Sequence, residues 1–132
     1  ASGRSPAAWT PEFFGAAGVP AFGWNSVTVP GAVSGWTELH ARFGKLPFEQ
    51  LFEPAISYGR NGFLVSPRVA VQWAAQIPVF SGQPGFAEAF LPGGRAPKAG
   101  DLCTLLDHAA TLEQIAASNG EVFYRGDLAE KM

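Results

Sequence analysis

Cysteine occurs once in this chain, at Cys103, so no disulfide can form within it and the redox compartment stays open. Charge is scarce as well. Of 132 residues, 15% are charged, nine basic against eleven acidic, for a formal net charge of −2. The basic residues, from Arg4 through Arg60 and Arg68 to Lys131, are scattered. They form no stripe that would neutralise a row of phosphates, and no helix presents several of them on one face. Nucleic-acid binding, including a helix-turn-helix regulator, is therefore disfavoured. No apolar run reaches the ~20 residues that span a bilayer. No charged-then-apolar leader is visible, although an excised piece would have lost one.

What is abundant is glycine and proline, sixteen and eleven residues, set in a sequence that is 47% hydrophobic. That combination excludes a disordered polyelectrolyte and implies one domain of short helices cut by turns. The chain begins without Met, and Asp127 starts a helix that ends after one turn at Met132, so both ends read as cuts.

Residues 1–25 read as an irregular segment carrying Trp9, Phe13, Phe14, Phe22 and Trp24. Ser26–Val29 is a short β-type run stopped by Pro30-Gly31. From Ala32 the period turns helical: Val33, Trp36, Leu39, His40 and Phe43 share a face, and Gly44 closes it. Phe48, Leu51, Phe52, Ala55 and Ile56 form a second stripe, with Pro47 near its start, a kink or a split at Pro54 and a stop at Asn61-Gly62. Ser66-Pro67 opens a third helix, with Val69, Trp73 and Ile77 on one face and Pro78 beyond its end. Residues 81–100 are loop-like with one helical turn at Phe86–Phe90, and Gly100–Cys103 is extended. Asp107 caps a helix whose face is Ala109, Leu112, Ile115 and Ala116, stopped by Asn119-Gly120. Val122–Tyr124 is helical.

The expected fold is mainly α, several short helices with little β. The expected layout is one helical fragment over 1–132: an irregular segment at 1–25, a helical hairpin-like region at 26–80, a Gly/Pro-rich loop at 81–103 and C-terminal helices at 104–132. No internal repeat is visible.

Seven phrases in order carry a family resemblance. They are Val29-Pro30-Gly31-Ala32-Val33-Ser34-Gly35-Trp36, Phe43-Gly44-Lys45-Leu46-Pro47, Glu53-Pro54-Ala55-Ile56, Asn61-Gly62-Phe63-Leu64-Val65, Gly100-Asp101, Leu112-Glu113-Gln114-Ile115-Ala116, and Phe123-Tyr124-Arg125-Gly126 with Ala129-Glu130. Together they resemble the large subunit of the γ-glutamyltransferase family, across nearly the whole chain. The resemblance implies a helical fragment of an N-terminal-nucleophile hydrolase made as a self-cleaving proenzyme. The new N-terminal threonine of the small subunit attacks a γ-glutamyl amide such as glutathione, with its own α-amine as base and backbone N–H groups stabilising the oxyanion. Water or an amine resolves the acyl-enzyme, and neither a metal nor an organic cofactor is needed. The implied partner is the remainder of the parent, small subunit included. This fragment alone is expected to be inactive, with no catalytic residue and no metal ligand. The implied compartment is left open between periplasmic or secreted and cytoplasmic.

One family contact belongs near the start, an arginine that pairs with the glutamate α-carboxylate. Alignment through Pro6, Thr10 and Phe14 puts Ser2 at that position and Arg4 two residues on. Gly3-Arg4-Ser5-Pro6 instead resembles a GRAP-like variant of other family members. Arg4 is therefore the candidate substrate-binding residue, a guanidinium matching carboxylate geometry, with a solvated terminal arginine as the plain alternative. The variant also keeps open a parent similar to the glutaryl-cephalosporin acylases, and a non-catalytic helical binding module is the reading from a different class.

The remaining candidates have plainer readings. The N–H groups after Pro30-Gly31 suit an anion, but tight turning and close packing at Gly31 and Gly35 is the expected role. His40 and His108 have no carboxylate or cysteine at ligand spacing, and a metal site or a pair with Cys103 is the lesser reading. Ser34, Ser57, Ser66 and Thr104 lack a nucleophile-elbow context. Trp36, Phe43, Phe48, Phe52 and Trp73 read as core, and exposure of some of them favours self-association.

Overall fold

A computed structural model describes residues 4–132. Its helices are α1 (Pro11–Phe14), α2 (Ala32–Phe43), α3 (Glu53–Asn61), α4 (Pro67–Phe80), α5 (Phe86–Phe90), α6 (Leu106–Ala117) and α7 (Asp127–Lys131), with tight helical turns at Phe48–Leu51 and Glu121–Phe123 among others. Two short strands, β1 (Phe63–Leu64) and β2 (Leu102–Cys103), pair antiparallel with Phe63 opposite Cys103 and Leu64 opposite Leu102. The chain is mainly α, as the spacing of its apolar residues predicts.

The helix ends are set by local chemistry. Thr10 and Ser66 each accept from the N–H three residues on, Phe13 and Val69, and proline follows each as the first helical residue. Gly62 ends α3 at φ +89° and Gly120 follows α6 at φ +86°, backbone that favours glycine. Proline divides the segment around residue 50 into two pieces. Phe48–Leu51 is a tight turn of helix, and Pro54 stands in the first turn of α3, where its missing N–H breaks no bond.

Four local expectations change. Among the described residues the run Ser26–Val29 forms no ladder, and Pro30 has no N–H to extend one; its one bond to a distant segment there is Val29 N–H to the Arg4 carbonyl, 2.9 Å. Helix α4 continues through Pro78 to Phe80. Only the Ala74 carbonyl loses its partner there, and exposed Ala74 leaves that oxygen to water, while Ser81 N–H reaches the Ile77 carbonyl at 2.9 Å. Asp107 lies one residue inside α6, where its charge suits the helix N-terminus without capping it. Gly44 is extended at φ −64°, not left-handed. Glycine is required there because a Cβ would stand 2.3 Å from the His40 ring, which folds over the helix end with Nε2 2.7 Å from the Leu46 carbonyl oxygen.

The core is small and lies where α2, α3, α6 and the Phe48–Leu51 turn meet. Val33, Phe48, Phe52 and Ile115 are buried, with Ile56, Leu112, Val122, Phe123 and Leu128 packed around them. The Phe48 and Phe52 rings are 4.9 Å apart, and Trp36 meets Phe52 edge-on at 6.0 Å. The closest helix pair is α3 and α6. Gly59 is buried against Ala109, and Leu105 N–H donates to the Gly59 carbonyl at 2.8 Å. Arg60 donates two hydrogen bonds to the two carboxylate oxygens of Glu113 across the same pair.

Only part of each predicted stripe is core. Phe48 and Phe52 are buried and Trp73 is half-buried, but Trp36 and Leu39 are exposed and Phe43 is 75% exposed. Periodicity identifies a face, and the partner that covers it decides burial.

Two predictions follow from the α3–α6 contact. A Cβ at Gly59 would stand 2.9 Å from the Ala109 Cβ and 3.2 Å from the Leu105 carbonyl oxygen. Alanine gains about 1 kcal/mol of helix propensity over glycine, whereas overpacking costs about 1–3 kcal/mol. Gly59→Ala is therefore expected to lower the urea midpoint, and Ala109→Gly added to it to cost less than it does alone. An additive double-mutant cycle would remove the steric explanation.

The second concerns pH. Hydrogen bonds from Arg60, and then its positive charge, outweigh partial burial and hold the Glu113 carboxyl below the ordinary range. A folded-state value below the unfolded one stabilises fully above the unfolded value and is lost as pH falls through the folded one. Glu113→Gln should flatten the fall in unfolding midpoint below about pH 4.5. Parallel curves for the two proteins would show that the pair contributes nothing. Asp101 keeps its own acid-labile share in both, since the Lys98 N–H and then Arg95 hold its carboxyl low.

Candidate functional site

Arg4 is exposed at the edge of a concavity of about 620 Å³ that it shares with Ser5, Pro6, Ala7 and Val29. The bond from Val29 N–H to the Arg4 carbonyl joins the N-terminal segment to the chain entering α2. Arg4 is the titratable side chain lining this hollow; the other lining residues supply small and apolar surface. Ser2 and Gly3, the other positions in the arginine alignment, lie outside the described residues.

The start of α2 is not an open anion site. Its N-cap is Gly31, with no side-chain cap, but the Ser34 N–H donates to the Tyr124 phenol oxygen at 3.0 Å, ninety residues away in sequence. The Ser34 hydroxyl donates back to the Gly31 carbonyl at 3.0 Å. Gly35 does not supply close packing, as a Cβ there would meet nothing within 4 Å. The close approach comes from Gly120, whose Cβ would stand 2.8 Å from Thr37 Cγ2 and 3.0 Å from Val33 Cγ1. Sequence reading takes Tyr124 only as part of a helical apolar stretch. No local pattern links it to residue 34.

The hydroxyls of Ser34, Thr37, Ser57 and Ser66 serve the backbone or neighbouring side chains. Ser66 caps α4, Ser57 accepts from Asn61, and Thr37 donates to the Ser34 carbonyl at 2.9 Å. Cys103 is buried, which pushes its thiol pKa up, away from the reactive thiolate. His40 packs edge-on against Phe48 at 5.2 Å, and His108 faces Phe90 at 6.1 Å. Among the described residues no three His, Cys, Asp or Glu side chains converge as a metal would require.

A second concavity, about 670 Å³, runs between α4 and α5 and is walled by Trp73, Phe80, Phe86, Phe90, Val69 and Leu105 with Gln72 and Gln76. Trp73 Nε1–H holds α5 through the Phe90 carbonyl at 2.8 Å. Among the described residues no charged or titratable side chain lines it, so these residues offer apolar contact and no acid–base chemistry.

The chain as a whole is similar to known proteins. The family model for gamma-glutamyltranspeptidase matches residues 1–132. The Acylase ACY 1 proenzyme of Pseudomonas sp. (strain V22) is 37% identical over 110 residues, 83% of this chain and 20% of that protein. Glutathione hydrolase 3 of Arabidopsis thaliana is 34% identical over 116 residues, 88% of this chain and 18% of that protein. The crystal structure of cephalosporin acylase from Bacillus halodurans superposes with a TM-score of 0.85 at 41% identity, covering 98% of this chain and 26% of that one. The chain thus spans about a fifth of the length of the curated relatives it matches. Matched from end to end by the family model, this chain belongs to the gamma-glutamyltranspeptidase family.

Proposed function

We propose that this chain is one part of an enzyme that cleaves γ-glutamyl amides, such as glutathione, and passes the acyl group to water or an amine. The observation that carries the reading is the family match over all 132 residues, joined to relatives named as glutathione hydrolases. In this reading the nucleophile is a threonine freed at the N-terminus of a small subunit when the proenzyme cuts itself. Its α-amine takes the hydroxyl proton, the oxygen attacks the amide carbon, and the amine leaves as that proton is returned. The proenzyme names of several relatives support self-cleavage.

The role of these residues is then to brace the catalytic domain and to wall part of the substrate cleft. Two features support it: hydroxyls held in local hydrogen bonds, and apolar side chains such as Trp24, 85% exposed, that suit cover by further polypeptide. Arg4 is the substrate contact, its guanidinium facing the donor's α-carboxylate across the concavity it shares with Val29. Alone, the chain is inactive and its exposed apolar faces promote self-association.

A second reading is a glutaryl-cephalosporin acylase. Its support is the likeness to acylases in both sequence and structure, with Arg4 displaced by two residues from the family position. The two share the nucleophile and differ in the acyl group: a glutaryl chain keeps a terminal carboxylate that Arg4 would also recognise and lacks only the α-amino group.

The test is an assay of the full-length protein with γ-glutamyl and glutaryl p-nitroanilides. Faster release from the γ-glutamyl compound is the expected result, and a preference for the glutaryl one selects the acylase. Release from neither, by a protein that has cleaved itself, removes both. The 132-residue chain by itself is expected to release nothing, and turnover by the purified chain would place the nucleophile within it.

A further inference from the structure

The geometry points to Tyr124 as a positioning residue for the Arg4 subsite, an inference that rests on the reading of Arg4 given above. The chain of contacts is short. Tyr124 Oη accepts the Ser34 N–H at 3.0 Å, in the first turn of α2. That turn has glycine at its N-cap and no side-chain cap, so its free N–H groups depend on partners from outside the helix. The Ser34 hydroxyl then bonds the Gly31 carbonyl at 3.0 Å, tying the turn to the residue before the helix.

From Gly31 the constraint passes through Pro30, whose ring fixes φ, to Val29. Val29 does two things: its N–H holds the Arg4 carbonyl at 2.9 Å, and its side chain walls the same concavity as Arg4. The N-terminal segment makes few other long-range hydrogen bonds among those described, and its other anchor, Phe22 edge-on to Phe80 at 6.0 Å, lies further along, so the start of α2 is the register mark nearest Arg4. Fraying of that first turn would move Val29 and with it the guanidinium, without touching any reacting atom.

Gly120 holds α2 at Val33, within its first turn, and at Thr37, one turn further along. Loss of the phenol oxygen therefore loosens the first turn only and leaves the helix in place. The ring of Tyr124 also packs edge-on against Phe123 at 5.1 Å, a contact that phenylalanine keeps. Tyr124→Phe removes one acceptor and little else.

The experiment uses the full-length enzyme and whichever anilide it turns over, with Arg4→Ala, Tyr124→Phe and the double variant. Tyr124→Phe is expected to raise KM about three- to tenfold with kcat within about twofold. Added to Arg4→Ala, it should raise KM no further, because the group it positions is gone. If Arg4→Ala raises KM and Tyr124→Phe does not, the inference falls while the reading of Arg4 stands. If Arg4→Ala leaves KM unchanged, that reading falls and takes the inference with it. An equal effect of Tyr124→Phe in both backgrounds, or a lower melting temperature with KM unchanged, would show that the phenol serves the fold and not Arg4.

Discussion

Helices α3 and α6 meet where neither has a side chain larger than a methyl group, and that closeness organises the rest of the molecule. Gly59 lies against Ala109, near enough for the Gly59 carbonyl to accept the Leu105 N–H at 2.8 Å. Carbonyls in the last turn of a helix have no partner within it. The Gly59 carbonyl instead receives the residue that leads into α6, which fixes where that helix begins. The Arg60–Glu113 pair lies one position beyond Gly59 on α3 and four beyond Ala109 on α6, so it sets the register along the pair. Two features follow on either side of α3. Phe52 precedes it and enters the aromatic core, and the glycine turn at residue 62 follows it and delivers β1 to β2.

The same contact explains how short helices hold together with so little core. Helices of four to fourteen residues gain little from their own hydrogen bonds and depend on packing of an apolar face. Val33, Phe48, Phe52 and Ile115 supply that packing where four segments converge. Burying such side chains is worth about 1.5–3 kcal/mol each, which leaves a small margin against the entropy of ordering the chain. Outside this centre the apolar faces of α2 and α4 stay open to solvent. Such faces fit a chain that spans about a fifth of its relatives' length.

Packing and the proposed Arg4 subsite meet at the start of α2. A helix beginning at glycine has no cap of its own, and a phenol from the far end of the chain takes that place. The segment that precedes the helix carries the bond to Arg4. A side chain at the periphery is thus linked to the C-terminal part of the chain through the Tyr124 phenol, the Ser34 hydroxyl and one backbone hydrogen bond, not through a run of packed core residues.

The sequence by itself determined the mainly helical class, the caps at Ser66 and Asn119-Gly120, the division at Pro54 and the family. The first three rest on residues close together in the chain, where spacing and backbone preference act directly, and the family rests on short phrases kept in order along it. Tertiary structure alone decided which half of each apolar stripe is buried, that Leu102–Cys103 pairs with Phe63–Leu64, and that Gly59, Gly120 and Gly44 stand where a Cβ does not fit. It also decided that α4 runs through Pro78, since a solvated carbonyl tolerates a missing donor. Periodicity records that a face needs a partner, but the partner comes from a distant segment. The bond between Ser34 and Tyr124 joins residues ninety apart, and no local pattern in either segment specifies the other.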